Sequence, residues 1–166
     1  AEHMCRAVYE RHGVEAVSPR DFNVFGPNQD PDSPYAAVIP NFITAFLEDR
    51  APVVYGDGGQ TRDFTYVANV VHANLLACRA AHAPGHVINV ACGQRISLLD
   101  LLGQLEEIFA KSIDPRFESP RPGDIRHSLA DITRAHEILE YETKVGWARG
   151  LKETVDWYRK HHNDSQ

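Results

Sequence analysis

The sequence predicts an α/β fold, on two observations. Short runs rich in β-branched residues, such as PVVY and HVINVACG, alternate with longer segments in which apolar residues recur at helical spacing. Segments dense in proline, glycine and asparagine separate these elements and indicate loops. The chain has 166 residues, 43% of them hydrophobic and 24% charged, which is ordinary for one globular domain with a sizeable core. We therefore expect helices between short strands.

The amino-terminal third predicts two helices on either side of a strand and a long loop. AEHMCRAVYERHG has helical spacing and ends at Gly13, since glycine favours a left-handed cap. VEAVSPRDFNVFG indicates a strand followed by a loop, in which Pro19 is unexpected because proline donates no ladder hydrogen bond. GPNQDPDSPY indicates a loop. Ser33-Pro34 then predicts the start of the helix YAAVIPNFITAFLEDR, which Pro40 should kink or delay.

The middle of the chain predicts two short strands around a glycine turn. PVVY ends at GDGG, whose glycines permit positive φ angles and close backbone approach. RDFTYV indicates a second strand. A helical pattern then runs from Tyr66 or Val67 to about Ala83, before Pro84 ends it.

The remaining elements predict one buried strand, three helices and a loop. HVINVACG indicates the buried strand, and Ser97 is expected to cap the amphipathic helix LLDLLGQLEEIFAK. RFESPRPGDIRHSLAD indicates a strand, a loop and a turn. Asp131 is expected to cap the helix ITRAHEILEY, and GLKETVDWYRKHH predicts a terminal helix with basic residues at its carboxyl end.

Composition argues against several classes of partner. The net charge of -6 does not favour nucleic acid or an anionic membrane, although it leaves room for a local basic pocket. No apolar run approaches the roughly 20 residues that span a bilayer. The nine histidines form no HxH or HExxH spacing, so we expect no metal. The three cysteines form no CxxC pair, which favours reduced thiols in a cytoplasmic protein.

Arg62 follows the glycine turn and opens a short strand. A guanidinium there can face a cleft and bind a phosphate through two parallel hydrogen bonds. The alternative is a salt bridge to Asp63 or to a loop carboxylate, and the spacing alone leaves both possibilities open.

Three further polar residues have both a binding and a structural interpretation. Arg121 lies between two prolines, which stiffen the backbone before a charged side chain, yet SPRPGD is also an ordinary surface turn. Asp124 can accept hydrogen bonds from sugar hydroxyls or cap the local turn. Asn23 follows a strand, where ligand crevices of open α/β sheets lie, or it caps the loop backbone.

The ordered set of motifs is more specific than any one of them. RDFNVFGP, VIPNFI, VVYGDGGQTRDFTYVANVV, HVINVACG and RPGDIRHSLADITRA together resemble the carboxyl-terminal half of the NAD-dependent epimerase/dehydratase family, the extended short-chain dehydrogenases, in particular UDP-glucose 4-epimerase-like members. The resemblance covers essentially the whole chain. It implies that residues 1–166 are the substrate-binding portion of a Rossmann-type protein, made of mixed short strands and helices, with the NAD-binding half absent.

The resemblance also implies roles for individual residues. Arg62 would contact the diphosphate of a nucleotide sugar, and Arg121 and Asp124 would hold the diphosphate and the ribose. Asn23 would lie at the sugar-nucleotide site, and Phe22 near the nicotinamide of NAD. The residues expected to surround the uracil or ribose are Val38, Val53 and Tyr55.

Two family motifs are missing from the chain, the glycine-rich GxxGxxG and the YxxxK that carries the catalytic tyrosine and lysine. No catalytic residue is therefore expected here. The chain also departs from the family at Pro19, at Asp21, which puts nicotinamide contacts in doubt, and at Asn69, where the usual residue is aspartate. Asn69 could disturb a structural hydrogen bond or charge pair.

These observations predict a UDP-sugar-binding portion of an NAD-dependent epimerase or dehydratase that is catalytically incomplete. The alternatives are a stand-alone nucleotide-sugar-binding module and a non-catalytic remnant that oligomerises. The resemblance also implies that the strand around Val14 to Asn23 and the strand around Val87 to Val90 pair within the main parallel sheet. Without the neighbouring strands its edges are exposed, so we also expect a homo-oligomer.

Overall fold

A computed structural model describes residues 1–30 and 38–162 of the chain. The predicted helix start at Ser33-Pro34 lies outside these residues. The helices are α1 (Glu2–His12), α2 (Val38–Leu47), α3 (Val67–Ala77), α4 (Leu98–Phe109), α5 (Thr133–Leu139) and α6 (Trp147–His161). The strands are β1 (Ser18–Asp21), β2 (Val24–Phe25), β3 (Val53–Tyr55), β4 (Thr61–Arg62), β5 (Thr65–Tyr66), β6 (Val87–Val90), β7 (Ile96–Ser97) and β8 (Arg116–Glu118).

Among the described residues the strands pair in twos. The pairs β1–β6, β2–β5 and β3–β8 are parallel, and β4–β7 is antiparallel. The parallel pairing of β1 with β6 was predicted. Pro19 fits within β1 because Ser18 and Phe22 donate to His86 and Val90, so the intervening proline lies where no donor toward β6 is required.

Local signals placed several helix ends correctly. Gly13 ends α1 with φ of 64°, in the left-handed region. Ser97 caps α4 in a capping box, since its hydroxyl accepts the N–H of Asp100 and the Asp100 carboxylate accepts the N–H of Ser97. Pro40 lies in the first described turn of α2 and is buried without interrupting the helix.

Three predicted elements need correction. RDFTYV is not one strand, because the chain leaves the β4–β7 pair at Asp63 and enters the β2–β5 pair. Helix α3 ends at Ala77 rather than near Ala83, since the N–H groups of Arg79 and Ala80 both bond to Leu76 in a tight turn. The terminal helix begins earlier, at Trp147.

The cap of α5 also differs from the prediction by one residue. Asp131 accepts the N–H of Thr133 at 3.0 Å, but Ile132 occupies the cap position itself. The carboxylate therefore stabilises the start of the helix from one position further out.

The glycine turn after β3 behaves as predicted. Gly56 and Gly58 have φ angles of 82° and 76°. A Cβ on Gly58 would lie 2.8 Å from Cδ2 of Leu99, so the turn requires both the left-handed backbone and the missing side chain. The turn therefore packs against the first turn of α4, which contains Leu99.

The buried apolar residues form two clusters. The larger one, here called the cavity core, lies between α2, α4 and α6 and includes Phe25, Phe46 and Leu101. The smaller one, the sheet core, lies between β6, α3 and α5 and includes Ile88 and Tyr141. Of the helices in residues 1–30 and 38–162, none combines the length and the apolar character needed to cross a membrane.

Candidate functional site: a cavity lined by two arginines

A cavity of about 430 Å³ opens beside the cavity core, between the ends of β2, β3 and β4, the start of α2 and the loop after β8. Every residue that the sequence predicted to bind substrate lines it. These residues are Asn23, Val38, Val53, Tyr55, Arg62, Arg121 and Asp124. The structure thus brings together residues that are about a hundred positions apart in the sequence. Core residues such as Phe25, Phe42 and Phe64 form the apolar back of the cavity.

Arg62 is held at the cavity by contacts with the loop after β8. Its Nη1 donates to the carbonyl oxygen of Ile125 at 2.6 Å and to that of Thr61 at 2.9 Å, and its Nη2 pairs with the carboxylate of Asp124. Its side chain is 18% exposed. The two interpretations of Arg62 are therefore compatible, because the guanidinium has a loop carboxylate as its partner and still lines the cavity. The partner is Asp124 and not Asp63.

Arg121 lies over the ring of Tyr55, with Cζ 3.9 Å from the ring centroid. This cation–π contact holds an otherwise exposed guanidinium against the wall of the cavity. The N–H of Asp124 donates to the carbonyl oxygen of Arg121 at 3.2 Å, so the segment is also a turn. Both arginine heads consequently face one cavity and both are already in contact with groups of the chain.

Asn23 joins β1 to β2 in a left-handed conformation, with φ of 37°. Its Nδ2 donates to the carbonyl oxygen of Asp63 at 3.4 Å, and its own carbonyl accepts the N–H of Thr65 at 3.2 Å. Asn23 therefore both caps the loop backbone and lines the cavity. Phe22 is half-buried and lies outside the lining residues, so its proximity to a nicotinamide stays a prediction.

Gln60 lines the cavity and was not singled out from the sequence. Its side chain is buried, and its Nε2 donates to the carbonyl oxygen of Tyr55 at 2.6 Å. A signal was present, because Gln60 precedes Arg62 by two positions and residues two apart on an extended segment point to the same side. Gln60 fixes the strand that carries Tyr55.

Asn69 is fully buried and has hydrogen-bond partners for its amide. Its Nδ2 donates to the carbonyl oxygen of Val145 at 2.8 Å, and its Oδ1 accepts the N–H groups of Lys144 and Val145, both at 3.0 Å. A carboxylate could not make the first of these bonds. The expectation that Asn69 disturbs a structural interaction is therefore wrong: here the amide connects α3 to the segment before α6.

The thiol of Cys92 lies 3.7 Å from Nδ2 of Asn69. Burial raises the pKa of this thiol, and the negative charge of Asp63 adds to the effect. A thiol with a raised pKa is a poor nucleophile near neutral pH, which agrees with a packing role. Among the described residues no group of three or more potential ligands could hold a metal ion.

Three glycine N–H groups in the turns of the described residues are used within the chain. The N–H of Gly56 donates to Glu118, that of Gly59 to Asp57 and that of Gly93 to Asp63. Sites for a dinucleotide diphosphate use free backbone N–H groups of glycine-rich turns, so these three groups are not available to one.

Comparison with known proteins identifies the family of the chain. The family model described as "NAD dependent epimerase/dehydratase family" matches residues 1–91. The UDP-N-acetyl-alpha-D-glucosaminuronate decarboxylase of Bacillus cytotoxicus is 36% identical over 162 residues, which cover 94% of this chain and 50% of that protein. The chain spans about half the length of the curated relatives it matches.

Two solved structures are similar over almost the whole chain. UDP-N-acetylglucosamine 4-epimerase from Methanobrevibacter ruminantium, in complex with UDP-N-acetylmuramic acid, matches with a TM-score of 0.90 and 40% identity, over 96% of this chain and 51% of that one. UDP-glucose 4-epimerase from Thermotoga maritima, with UDP-glucose, matches with a TM-score of 0.91 and 35% identity, over 97% and 51%. The Rossmann-type α/β fold predicted from the sequence is thereby confirmed, and the chain belongs to the NAD-dependent epimerase/dehydratase family.

Proposed function

We propose that this chain is the nucleotide-sugar-binding portion of an NAD-dependent sugar epimerase or dehydratase, and that its ligand is a UDP-sugar. One observation carries the proposal: Arg62 and Arg121 line a single cavity together with an acceptor, Asp124, and an apolar wall. Two guanidinium groups suit a diphosphate, because each can donate two parallel hydrogen bonds to phosphate oxygens. The cavity volume of about 430 Å³ falls within the range of small-molecule sites.

The roles follow from the chemistry of each group. Arg62 and Arg121 bind the diphosphate, and Asp124 accepts hydrogen bonds from the ribose. Asn23 lies toward the sugar. The apolar surface of the remaining residues, Val38, Val53 and Tyr55, surrounds the base or ribose. Two similar structures were solved with UDP-linked ligands, which supports a nucleotide sugar as the ligand class.

Titration calorimetry with UDP and UDP-glucose tests this proposal. We expect Arg62→Ala and Arg121→Ala each to weaken UDP binding by about 10- to 100-fold, the range for hydrogen bonds to charged groups. Arg149→Ala is a matched control, because Arg149 on α6 is exposed, pairs with Glu153 and does not line the cavity. Absence of UDP binding at millimolar concentration would instead favour a non-catalytic remnant.

The chain is proposed to be catalytically incomplete by itself, because it contains neither GxxGxxG nor YxxxK. We expect no binding of NAD alone, because the sequence has no GxxGxxG motif to hold its diphosphate. Adding a separately expressed NAD-binding half of a relative, with NAD, should restore epimerisation or dehydration of a UDP-sugar. Tight UDP binding without such complementation would favour a stand-alone binding module.

A homo-oligomer is also proposed, on the evidence of uncovered apolar surface near the amino terminus. No residue of α1 is buried, and Met4 is 72% exposed. Light scattering at tens of micromolar should detect a species larger than a monomer, and a monomer that binds no hydrophobic dye would contradict the proposal. A reduced cytoplasmic setting stays a proposal too, supported by the three cysteines, all of which are free thiols.

A further inference from the structure

Asp63 is a fully buried carboxylate next to the cavity that no binding role uses. Its Oδ1 accepts the N–H of Cys92 at 3.1 Å, and its Oδ2 accepts the N–H groups of Gly93 at 3.1 Å and Ala130 at 3.3 Å. A buried carboxylate is costly unless hydrogen bonds compensate for its lost hydration, and here three backbone donors do so.

Two of these donors form a preformed anion-binding turn. Cys92 and Gly93 are consecutive, and Gly93 has φ of 68° in the left-handed region. Successive N–H groups in such a turn converge on one anion. The anion in this turn is the side chain of Asp63, which fixes the β4–β5 corner against the segment after β6.

The third donor fixes the loop that carries Arg121 and Asp124. The N–H of Ala130 binds Asp63 at the end of this loop, and Thr61 holds the middle of it, donating its N–H to Arg126 and accepting that of Ser128. The loop therefore runs alongside residues 61–63 and is held by the backbone of Thr61 and by the side chain of Asp63. This is the loop whose carbonyl at Ile125 and carboxylate at Asp124 hold the Arg62 head.

The backbone of Asp63 connects to another polar residue of the cavity, Asn23. Its carbonyl oxygen accepts Nδ2 of Asn23, and Asn23 in turn holds Thr65. The single buried residue Asp63 thus contacts the segments that carry Asn23 and Asp124 and directly follows Arg62.

We infer that Asp63 is a positioning residue, which sets the Arg62 guanidinium and the Arg121–Asp124 loop in register for a diphosphate. The inference rests on the proposed function for the identity of the ligand. The anchoring of the loop by Asp63 does not depend on that function. Asparagine at this position is nearly isosteric, yet its NH₂ group would face at least one of the three N–H groups in either orientation of the amide.

The experiment compares Asp63→Asn with the reciprocal exchange Asn69→Asp. Both residues are fully buried, and each makes three side-chain hydrogen bonds to backbone groups, but those of Asn69 go to Lys144 and Val145, and its one contact near Asp63 is with Sγ of Cys92 at 3.7 Å. Neither Lys144 nor Val145 lines the cavity. Both variants therefore disturb three buried hydrogen bonds, but only Asp63→Asn is expected to loosen the loop that holds Arg62.

The measured quantity is the ratio of the dissociation constants for uridine and UDP, which isolates the contribution of the diphosphate. We expect Asp63→Asn to lower this ratio by about tenfold, the loss of one well-placed charged contact, and Asn69→Asp to leave it unchanged. A purely structural role for Asp63 would lower affinity for both ligands alike and keep the ratio. An unchanged ratio in folded Asp63→Asn overturns the inference.

Backbone hydrogen exchange gives a readout that needs no ligand. Asp63→Asn should speed exchange at Gly93 and Ala130, whereas Asn69→Asp should speed exchange at Lys144 and Val145. Cys92 does not separate the two variants, because it contacts both side chains. If the wild type binds UDP no better than uridine, the proposed function fails, while the exchange pattern still tests the anchoring. If Asp63→Asn does not fold, Asp63→Glu is measured instead, in sucrose, which stabilises the folded state. The longer side chain of glutamate displaces the same loop, so it should also lower the ratio of the dissociation constants for uridine and UDP.

Discussion

The cavity side and the amino-terminal side of this chain are built differently. The cavity is surrounded by α2, α4 and the loop after β8, and its apolar wall continues into the cavity core. On the other side, α1 buries no residue, and its contacts include the exposed Glu2–Arg20 pair and the approach of Tyr9 to Gly85. Tight packing fixes side chains to within fractions of an ångström, whereas a surface helix tolerates change. The difference indicates where substitutions should matter, and four predictions test it.

The largest expected effect is on stability. Phe46 is fully buried in the cavity core, so Phe46→Ala should lower the free energy of unfolding by about 3–5 kcal/mol, for lost transfer energy and the cavity left behind. Met4→Ala on α1 should change it by no more than about 0.5 kcal/mol, because Met4 is exposed. Denaturant unfolding measures both, and losses of similar size would mean that the two sides are equally packed.

A pair of helical glycines tests how tightly the cavity side itself is packed. A Cβ on Gly150 in α6 would lie 2.9 Å from Cγ of Tyr66, so Gly150→Ala should cost about 1–3 kcal/mol by overpacking. Gly103 in α4 has open space around it, so Gly103→Ala should instead add about 0.5–1 kcal/mol through helix propensity. The midpoint of thermal unfolding should therefore fall for Gly150→Ala and rise for Gly103→Ala. A higher midpoint for Gly150→Ala would refute the packing argument.

The third prediction concerns the ion pair inside the cavity. Asp124 holds the Arg62 head at the cavity, so Asp124→Asn should loosen it. Inorganic diphosphate, which has no ribose, should then bind up to about fivefold less tightly, since partly exposed ion pairs contribute about 0.2–1 kcal/mol. Calorimetry with inorganic diphosphate and with UDP separates this effect from ribose binding. Tighter binding of inorganic diphosphate would show that Asp124 competes for Arg62 instead of orienting it.

The smallest effect is a difference in thiol reactivity. Burial raises the pKa of Cys92, so its thiolate, the reactive form, accumulates only at higher pH than is usual for a thiol. Cys78, at the end of α3, is exposed. Alkylation followed by peptide mass spectrometry should modify Cys78 first near pH 8, and Cys92 should become reactive only as the pH rises further. Equal rates at both thiols would indicate that the core around Cys92 opens readily.

Signals that act over a few residues were predictable from the sequence. The capping box at Ser97, the helix end at Gly13 and the left-handed turn at Gly58 each depend on a local backbone geometry that one residue type favours. The boundary of α3 was not predictable in this way, because the alanine-rich segment after Ala77 retains helical composition while its N–H groups bond in a turn. The split at Asp63 was missed for a different reason, since it depends on donors from residues 92, 93 and 130.

By itself, the sequence determined the α/β class, most of the helices and seven of the residues that line the cavity, because periodicity, caps and motif order are recorded along the chain. Only the tertiary structure decided that Arg62 pairs with Asp124 and not with Asp63, that Asn69 is fully hydrogen-bonded, and that Gln60 belongs to the cavity. These facts depend on which distant backbone groups meet a side chain. The physical reason is that a buried polar group must find its partners wherever the fold brings them, and sequence spacing does not encode that distance.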